Sequence, residues 1–368
     1  MERRDFVFAG AATAFAALTL YVAFFLGIFT VPVTVEAAKP EKYRIAWSRY
    51  VGWEPWGYME QSGILKKWAQ KYGIEIELKF FTDYVESINQ YTGGQFHGVT
   101  VTNMDTLTMP AVGGVDSTAI VVGDFSNGND GVVLKNGSSV RDLKGRKVKL
   151  VEGSVSHYLL ARALDKEGRG LTERDMKLVN TSDAQIQDVF LNDSDPKAAV
   201  VTWNPMLMEV RTAKGSKMVF DSSQIPGEII DMLVVKTDAP DKLKKALTGA
   251  WYETMAVMSA NDKTAAASAE FMAKNSGATL AQFKAQLKTT AMFYKAADAV
   301  TFAKSKQLKD TMEYVRTFSF DHGLYGDGKK SKDFVGIQFP DKSVMGDSKN
   351  VKFRFDSTYM QLAAEGKL

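Results

Sequence analysis

From Tyr43 onward, short runs of β-branched and aromatic residues alternate with amphipathic stretches of helical period. No other feature of the chain restricts its fold as much, because such alternation builds mostly parallel sheets covered by helices. Tyr43–Ser48, Ile74–Phe80, Gly98–Thr102 and Ala119–Asp124 read as strands. Gly57–Tyr72, with Ile64, Leu65 and Trp68 on one face, reads as a helix stopped by Gly73, and Tyr84–Tyr91 as a helix closed by Gly93 and Gly94; a third begins near Asp105. The turn-rich run from Asp124 to Gly131 interrupts this series.

The alternation then restarts through Lys147–Val151, Val155–Lys166, Met176–Val179, Asp183–Leu191, Ala198–Thr202 and Lys217–Phe220. After Pro226 and Gly227, Ile229–Lys236 reads as a strand returning to the first series. The stretch from Asp241 to about His322 reads as helical, with no strand run. Beyond Gly323 a long loop and C-terminal cover are expected, with Val351–Phe355 as its one strand. A chain of 368 residues with 45% apolar content is long enough for two cores. The expected division is residues 39–126 plus 230–368 as a discontinuous first lobe and 127–229 as a second.

The first 38 residues differ from the rest. Glu2-Arg3-Arg4-Asp5 precedes an uncharged, largely apolar run from Phe6 to Val35, and small residues at Ala37 and Ala38 end it. That is a targeting segment, either a signal peptide cleaved near Ala37 or Ala38 or an uncleaved N-terminal anchor, since the run exceeds the ~20 residues that cross a bilayer. Arg3-Arg4 partly matches a twin-arginine signal, and the general secretory route fits as well. Either reading places the remainder outside the cytoplasm, in the periplasm.

Composition removes several classes of function. There is no cysteine, so disulfides, thiolate metal sites and a cysteine nucleophile are excluded. The 46 basic and 43 acidic residues form no long block of one sign, which argues against a nucleic-acid partner. With three histidines and no HExxH, GxSxG, GxxxxGK[ST] or GxGxxG pattern, the usual parts of metal, acyl-transfer and nucleotide chemistry are missing. The expectation is a non-enzymatic monomer without a cofactor.

Two stretches carry a resemblance. Asn180-Thr181-Ser182-Asp183 opens a helix, and Ala198–Thr202 leads into Trp203-Asn204-Pro205. This resembles the second lobe of the periplasmic binding proteins of the nitrate, sulfonate and taurine importers, over nearly all of Tyr43 to Gly323. Trp47–Gly57, Thr102–Asp105 and Val155–Tyr158 further resemble the subgroup associated with urea-carboxylase-type enzymes, whose ligand is urea or guanidine. The resemblance implies an α/β, two-lobed binding protein of type II, each lobe a mostly parallel sheet flanked by helices. It also implies hinge closure on a small molecule and delivery to an ABC permease and its ATPase subunits.

Ligands of open α/β sheets sit beyond the carboxyl ends of strands, which directs attention to four loops. The first holds Trp47, Ser48, Tyr50, Trp53, Glu54 and Trp56, with three of the six tryptophans within ten residues; they form either a cleft wall or a staple for the next helix. The second carries Asn103 and Asp105, which are also preferred helix caps. The third holds Glu152, Ser154 and His157, with Ser154 a cap and His157 either a cleft residue or an ordinary core histidine. The fourth is Trp203-Asn204, and Asp231 lies on the returning strand. These loops are rich in aromatic faces and carboxylates and, Arg49 apart, poor in cations. Guanidinium suits them better than urea, by cation–π contact and charge-assisted hydrogen bonds. Nitrate, taurine or an aliphatic sulfonate is the alternative ligand, and a membrane-anchored ligand sensor the alternative role.

Overall fold

The computed structural model describes residues 40–368 apart from 327. The apolar run Phe6–Val35 and the cleavage expected near Ala37 or Ala38 lie outside them. The first series runs β1 (Glu41–Ser48), α1 (Glu54–Gln61), α2 (Ile64–Lys71), β2 (Ile74–Phe81), α3 (Tyr84–Thr92), β3 (Gly98–Thr102), α4 (Asn103–Thr106) and β4 (Ser117–Ser126). The second runs β5 (Asp130–Lys135), β6 (Lys147–Leu150), α5 (Val155–Glu167), β7 (Lys177–Asn180), α6 (Asp183–Leu191), β8 (Ala199–Trp203), α7 (Met206–Thr212) and β9 (Ser216–Asp221). Then come β10 (Ile230–Lys236), α8 (Asp241–Ser259), α9 (Lys263–Asn275), α10 (Leu280–Leu287), β11 (Thr290–Met292), α11 (Ala296–Ala303) and α12 (Lys306–Asp321). The chain ends with β12 (Gly336–Gln338), β13 (Val344–Met345), β14 (Val351–Phe355) and α13 (Thr358–Ala364).

Two sheets result. The larger has the order β13-β12-β14-β4-β10-β3-β1-β2, with β11 added on β4; the smaller has the order β7-β6-β8-β5-β9. The chain passes from the first sheet to the second through the short turn between β4 and β5, and it returns between β9 and β10. In the larger sheet β1, β2 and β3 are parallel while β10 is antiparallel to both β3 and β4. Asp231, at the start of β10, therefore stands beside Thr102 at the end of β3 and opposite Asp124 near the end of β4. In the smaller sheet β5 is antiparallel to β8, which sets Asp130 opposite Trp203. Both sheets thus bring strand termini to one place.

Several local outcomes differ from the expectation. The helix expected over Gly57–Tyr72 is two, because Gly63 adopts φ +80°, a left-handed turn that glycine takes without a Cβ penalty and that ends the first helical run. β4 runs two residues beyond Asp124, so the crossing turn is shorter than the Gly- and Asn-rich run implied. The helical stretch after Asp241 is interrupted by β11, three residues that pair with Asp124–Ser126. The C-terminal cover contains β12 and β13 as well as β14: β12 pairs with β13 and with β14, and β14 joins them to the distant β4. Among the described residues, no helix is long and apolar enough to cross a membrane.

Candidate ligand-binding site

Where the two sheets meet, a small pocket with about 20 Å³ of free space is lined by Tyr50, Trp53, Tyr84, Thr102, Asp130, Val155, Trp203, Ile229 and Asp231. Tyr50, Trp53, Tyr84, Thr102 and Asp231 come from the first-sheet side, and Asp130, Val155 and Trp203 from the second. The aromatic rings form a chain. Tyr50 meets Trp53 at 5.2 Å between centroids, Trp53 meets Tyr84 at 5.6 Å, and Tyr84 meets Trp203 edge-on at 5.7 Å. Tyr84 and Trp203 approach from opposite sheets. The Tyr84 N–H also donates to Asp183 at the start of α6 (3.1 Å), and the Trp203 Nε1–H donates to the Arg49 carbonyl (3.2 Å).

Four aspartates are buried around this space: Asp105, Asp124, Asp130 and Asp231. Asp130 and Asp231 face the cavity, whereas Asp105 and Asp124 stand behind its aromatic wall. Asp105 accepts from Tyr84 Oη at 2.7 Å and from Thr102 Oγ1 at 2.9 Å; Asp124 accepts from Tyr50 Oη at 2.9 Å. Asp130 accepts from Ser126 Oγ at 2.5 Å. One oxygen each of Asp105, Asp124 and Asp231, and the Trp53 Nε1, are buried without a hydrogen bond among the described residues. Such groups are costly unless a partner meets them.

Burial decides the electrostatics here. It pushes Asp105 up to about 6 and Asp124 and Asp130 up to about 7, against the hydrogen bonds that favour their charged forms. Asp231 is raised well above the ordinary carboxylate range, first by burial and then by the neighbouring Asp124 and Asp130 carboxylates. Two adjacent carboxyls in a low-dielectric site share a proton rather than ionise together, so the Asp124–Asp231 pair carries at most one negative charge near neutrality. No Lys or Arg lines the cavity. The arrangement is suited to a small cation with flat N–H donors. Gly52 makes it possible, since a Cβ there would stand 2.5 Å from Asp124 Oδ2 and from the Tyr50 ring.

Of the residues singled out in sequence, Trp53, Trp203 and Asp231 line the cavity, and Asp105 lies directly behind Tyr84. Ser48 is buried at the end of β1 with its Oγ unbonded, and Asn204 is tied to Asn129 and Thr289. The others lie elsewhere. Trp47 packs edge-on against Phe80, and Trp56 lies against Trp251 at 5.2 Å, so both are core staples between α1 and its neighbours. Glu54 is buried but answered by Asn275 (2.6 Å) and Arg49 (3.4 Å). Asn103 clamps the returning segment, donating to the Glu228 carbonyl and accepting from the Ile230 N–H. Ser154 caps α5, Glu152 is exposed, and His157 faces a separate outer groove with Glu173 and His322. Tyr50 of the first loop also lines the cavity, whereas Tyr84, Asp124 and Asp130 were missed. A usable signal existed for the two aspartates: each ends or opens an otherwise apolar run, Ala-Ile-Val-Val-Gly-Asp and Asp-Gly-Val-Val-Leu, which a surface turn would not need.

The two-sheet architecture with a cleft at the strand termini is that of the two-lobed periplasmic binding proteins. The alkanesulfonate-binding protein SsuA of Xanthomonas axonopodis pv. citri, solved bound to MOPS, superposes with a TM-score of 0.63 at 17% identity, covering 79% of this chain and 96% of that one. The periplasmic aliphatic sulphonate-binding protein SsuA of Escherichia coli gives 0.62 at 17% identity, covering 78% and 94%. The periplasmic nitrate-binding protein NrtA of Synechocystis PCC 6803 gives 0.55 at 11% identity, covering 89% and 100%. The NMT1/THI5-like family model matches residues 64–251, just over half of the chain, and the chain belongs to that family. No curated protein matches it in sequence.

Proposed function

We propose that this chain is a non-enzymatic, extracytoplasmic solute-binding protein of an ABC importer, and that its ligand is a small planar cation, with guanidinium preferred over urea. Membership of the NMT1/THI5-like family and a fold shared with sulfonate- and nitrate-binding proteins support the general role. The ligand class rests on one observation: buried aspartates surround an aromatic cavity that no Lys or Arg lines. Nitrate or a sulfonate would meet carboxylates and no cationic side chain, and would be repelled. Guanidinium would neutralise the single charge of the Asp124–Asp231 pair, stack on Trp53 and Trp203, and donate to Asp231 and Asp130. Urea has the same shape and donors but leaves the carboxylate charge uncompensated, which costs several kcal/mol.

In this reading residues 39–126 plus 230–368 and residues 127–229 are the two lobes, joined by the β4–β5 turn and the β9–β10 segment. Ligand enters when Tyr84 and Trp203 separate, through the groove lined by Arg49, Asp183 and Met206. Contacts from both lobes then favour the closed form that a permease recognises. A thermal-shift panel of guanidinium, methylguanidine, urea, nitrate and taurine tests the ranking, because a ligand that binds the native state raises its stability by mass action. Guanidinium should give the largest rise. A rise with nitrate or taurine and none with guanidinium contradicts the proposal.

A further inference from the structure

Apart from the cavity, three side chains converge in the outer groove between α5 and α12. Glu173 Oε1 lies 3.0 Å from His157 Nε2 and 3.2 Å from His322 Nε2, and the three donor atoms all lie within 4.8 Å of one another. His157 is only 5% exposed, yet neither its Nε2 nor Glu173 Oε1 makes a hydrogen bond among the described residues. Their approach is close in distance but not aligned for an N–H to donate. Two of the chain's three histidines have been brought together by elements far apart in sequence: α5, the turn before β7, and the end of α12.

We propose that His157, Glu173 and His322 form a binding site for a divalent metal of the zinc class. Two imidazoles and one carboxylate are a donor set that such ions accept, with metal–nitrogen and metal–oxygen bonds of about 2.0–2.2 Å. In a tetrahedron of that size donors stand about 3.4 Å apart, so the two spacings from Glu173 to the histidines need to widen by only a few tenths of an ångström. His322 Nδ1 lies 2.9 Å from the Phe318 carbonyl, which fixes the proton on Nδ1 and leaves the Nε2 lone pair free, the usual support for a metal-bound histidine. His157 Nδ1 accepts from the Gly153 N–H at 3.1 Å, and metal on Nε2 would exchange that one hydrogen bond for a metal bond. The Phe318 ring packs against both imidazoles, at 4.1 Å from His322 and 5.8 Å from His157. Three protein donors leave a fourth position open to the groove.

His157 and Glu173 belong to the second-sheet side, and His322 follows a helix that packs against α4 on the first-sheet side. A bound ion would tie the two together outside the ligand cavity and favour the closed form. The site does not depend on the identity of the small-molecule ligand. Calorimetric titration of zinc chloride into the metal-free full chain is the test, with His322→Ala, Glu173→Gln and His97→Ala variants beside the wild type. The expected result is one zinc per chain, bound about 100-fold more weakly in H322A and E173Q and unchanged in H97A. The exposed end of α12 tolerates the H322A change, and cobalt substitution should give the visible absorption of a tetrahedral site in the wild type. Absence of saturable zinc binding by the wild type, or equal binding by H322A, overturns the proposal.

Discussion

Asp124 on β4 and Asp231 on β10 are direct cross-strand partners, and Tyr50 donates its hydroxyl to Asp124 at 2.9 Å. Like charges set opposite one another on a sheet are destabilising, and here both groups are also buried. Such an arrangement costs stability in the empty protein, and a cation would offset that cost.

Replacing Asp231 by Asn should separate the two effects. Loss of a buried charge partner costs about 2–5 kcal/mol of binding, or about 30-fold or more in guanidinium affinity. The ligand-free variant should nevertheless melt higher than the wild type at about pH 8. An unfolded aspartate ionises near pH 3.9, while Asp231 in the fold holds its proton far longer. The folded wild type therefore loses stability as pH rises through the raised pKa. The advantage of the variant should vanish below about pH 3, where both states are protonated. Melting curves across this range, with and without guanidinium, measure both.

Binding should be linked to protons. Asp105 titrates at about 6 and Asp124 and Asp130 at about 7 in the empty cavity. A cation binds their ionised forms, so affinity should rise with pH through this interval and level off above it. Titrations in buffers of different ionisation enthalpy should detect proton release on binding near neutrality. Affinity that is flat from about pH 5 to 8 would show that the charge of these carboxyls does not act on the ligand.

The tryptophans should divide into two groups. Trp203→Ala removes one face of the cavity and its contact with Tyr84, and should weaken binding by about 10-fold or more, mainly through faster dissociation. Trp56→Ala removes a core ring packed on Trp251 and should cost about 3–5 kcal/mol of stability. It should leave affinity nearly unchanged in whatever fraction folds. Chemical denaturation paired with stopped-flow dissociation distinguishes them.

The contrast between Trp56 and Trp203 also marks how far the sequence could be read. Strands such as Gly98–Thr102 and Ala199–Trp203 carry their own signal, an apolar run bounded by turn residues, and the two βα series followed from it. β11, β12 and β13 were illegible because two or three residues become a strand only through the partner they meet. Residue type and loop position picked out Trp53, Trp203 and Asp231, which line the cavity, but the same criteria selected Trp56 and Glu54, which the fold turns into the core. Asp124 and Asp130 were hidden because Asp in a Gly- and Asn-rich run reads as a turn former. Only the pairing of β4 with β10 and of β5 with β8 brings both carboxyls inward.

The most direct measurement is calorimetric titration of guanidinium into the full chain at about pH 8, where the aspartates raised to about 6–7 are ionised. One ligand per chain should bind at micromolar affinity or tighter, with the heat greatly reduced in D231N and urea much weaker. No heat from guanidinium, with saturable binding of nitrate or an alkanesulfonate, would contradict the account.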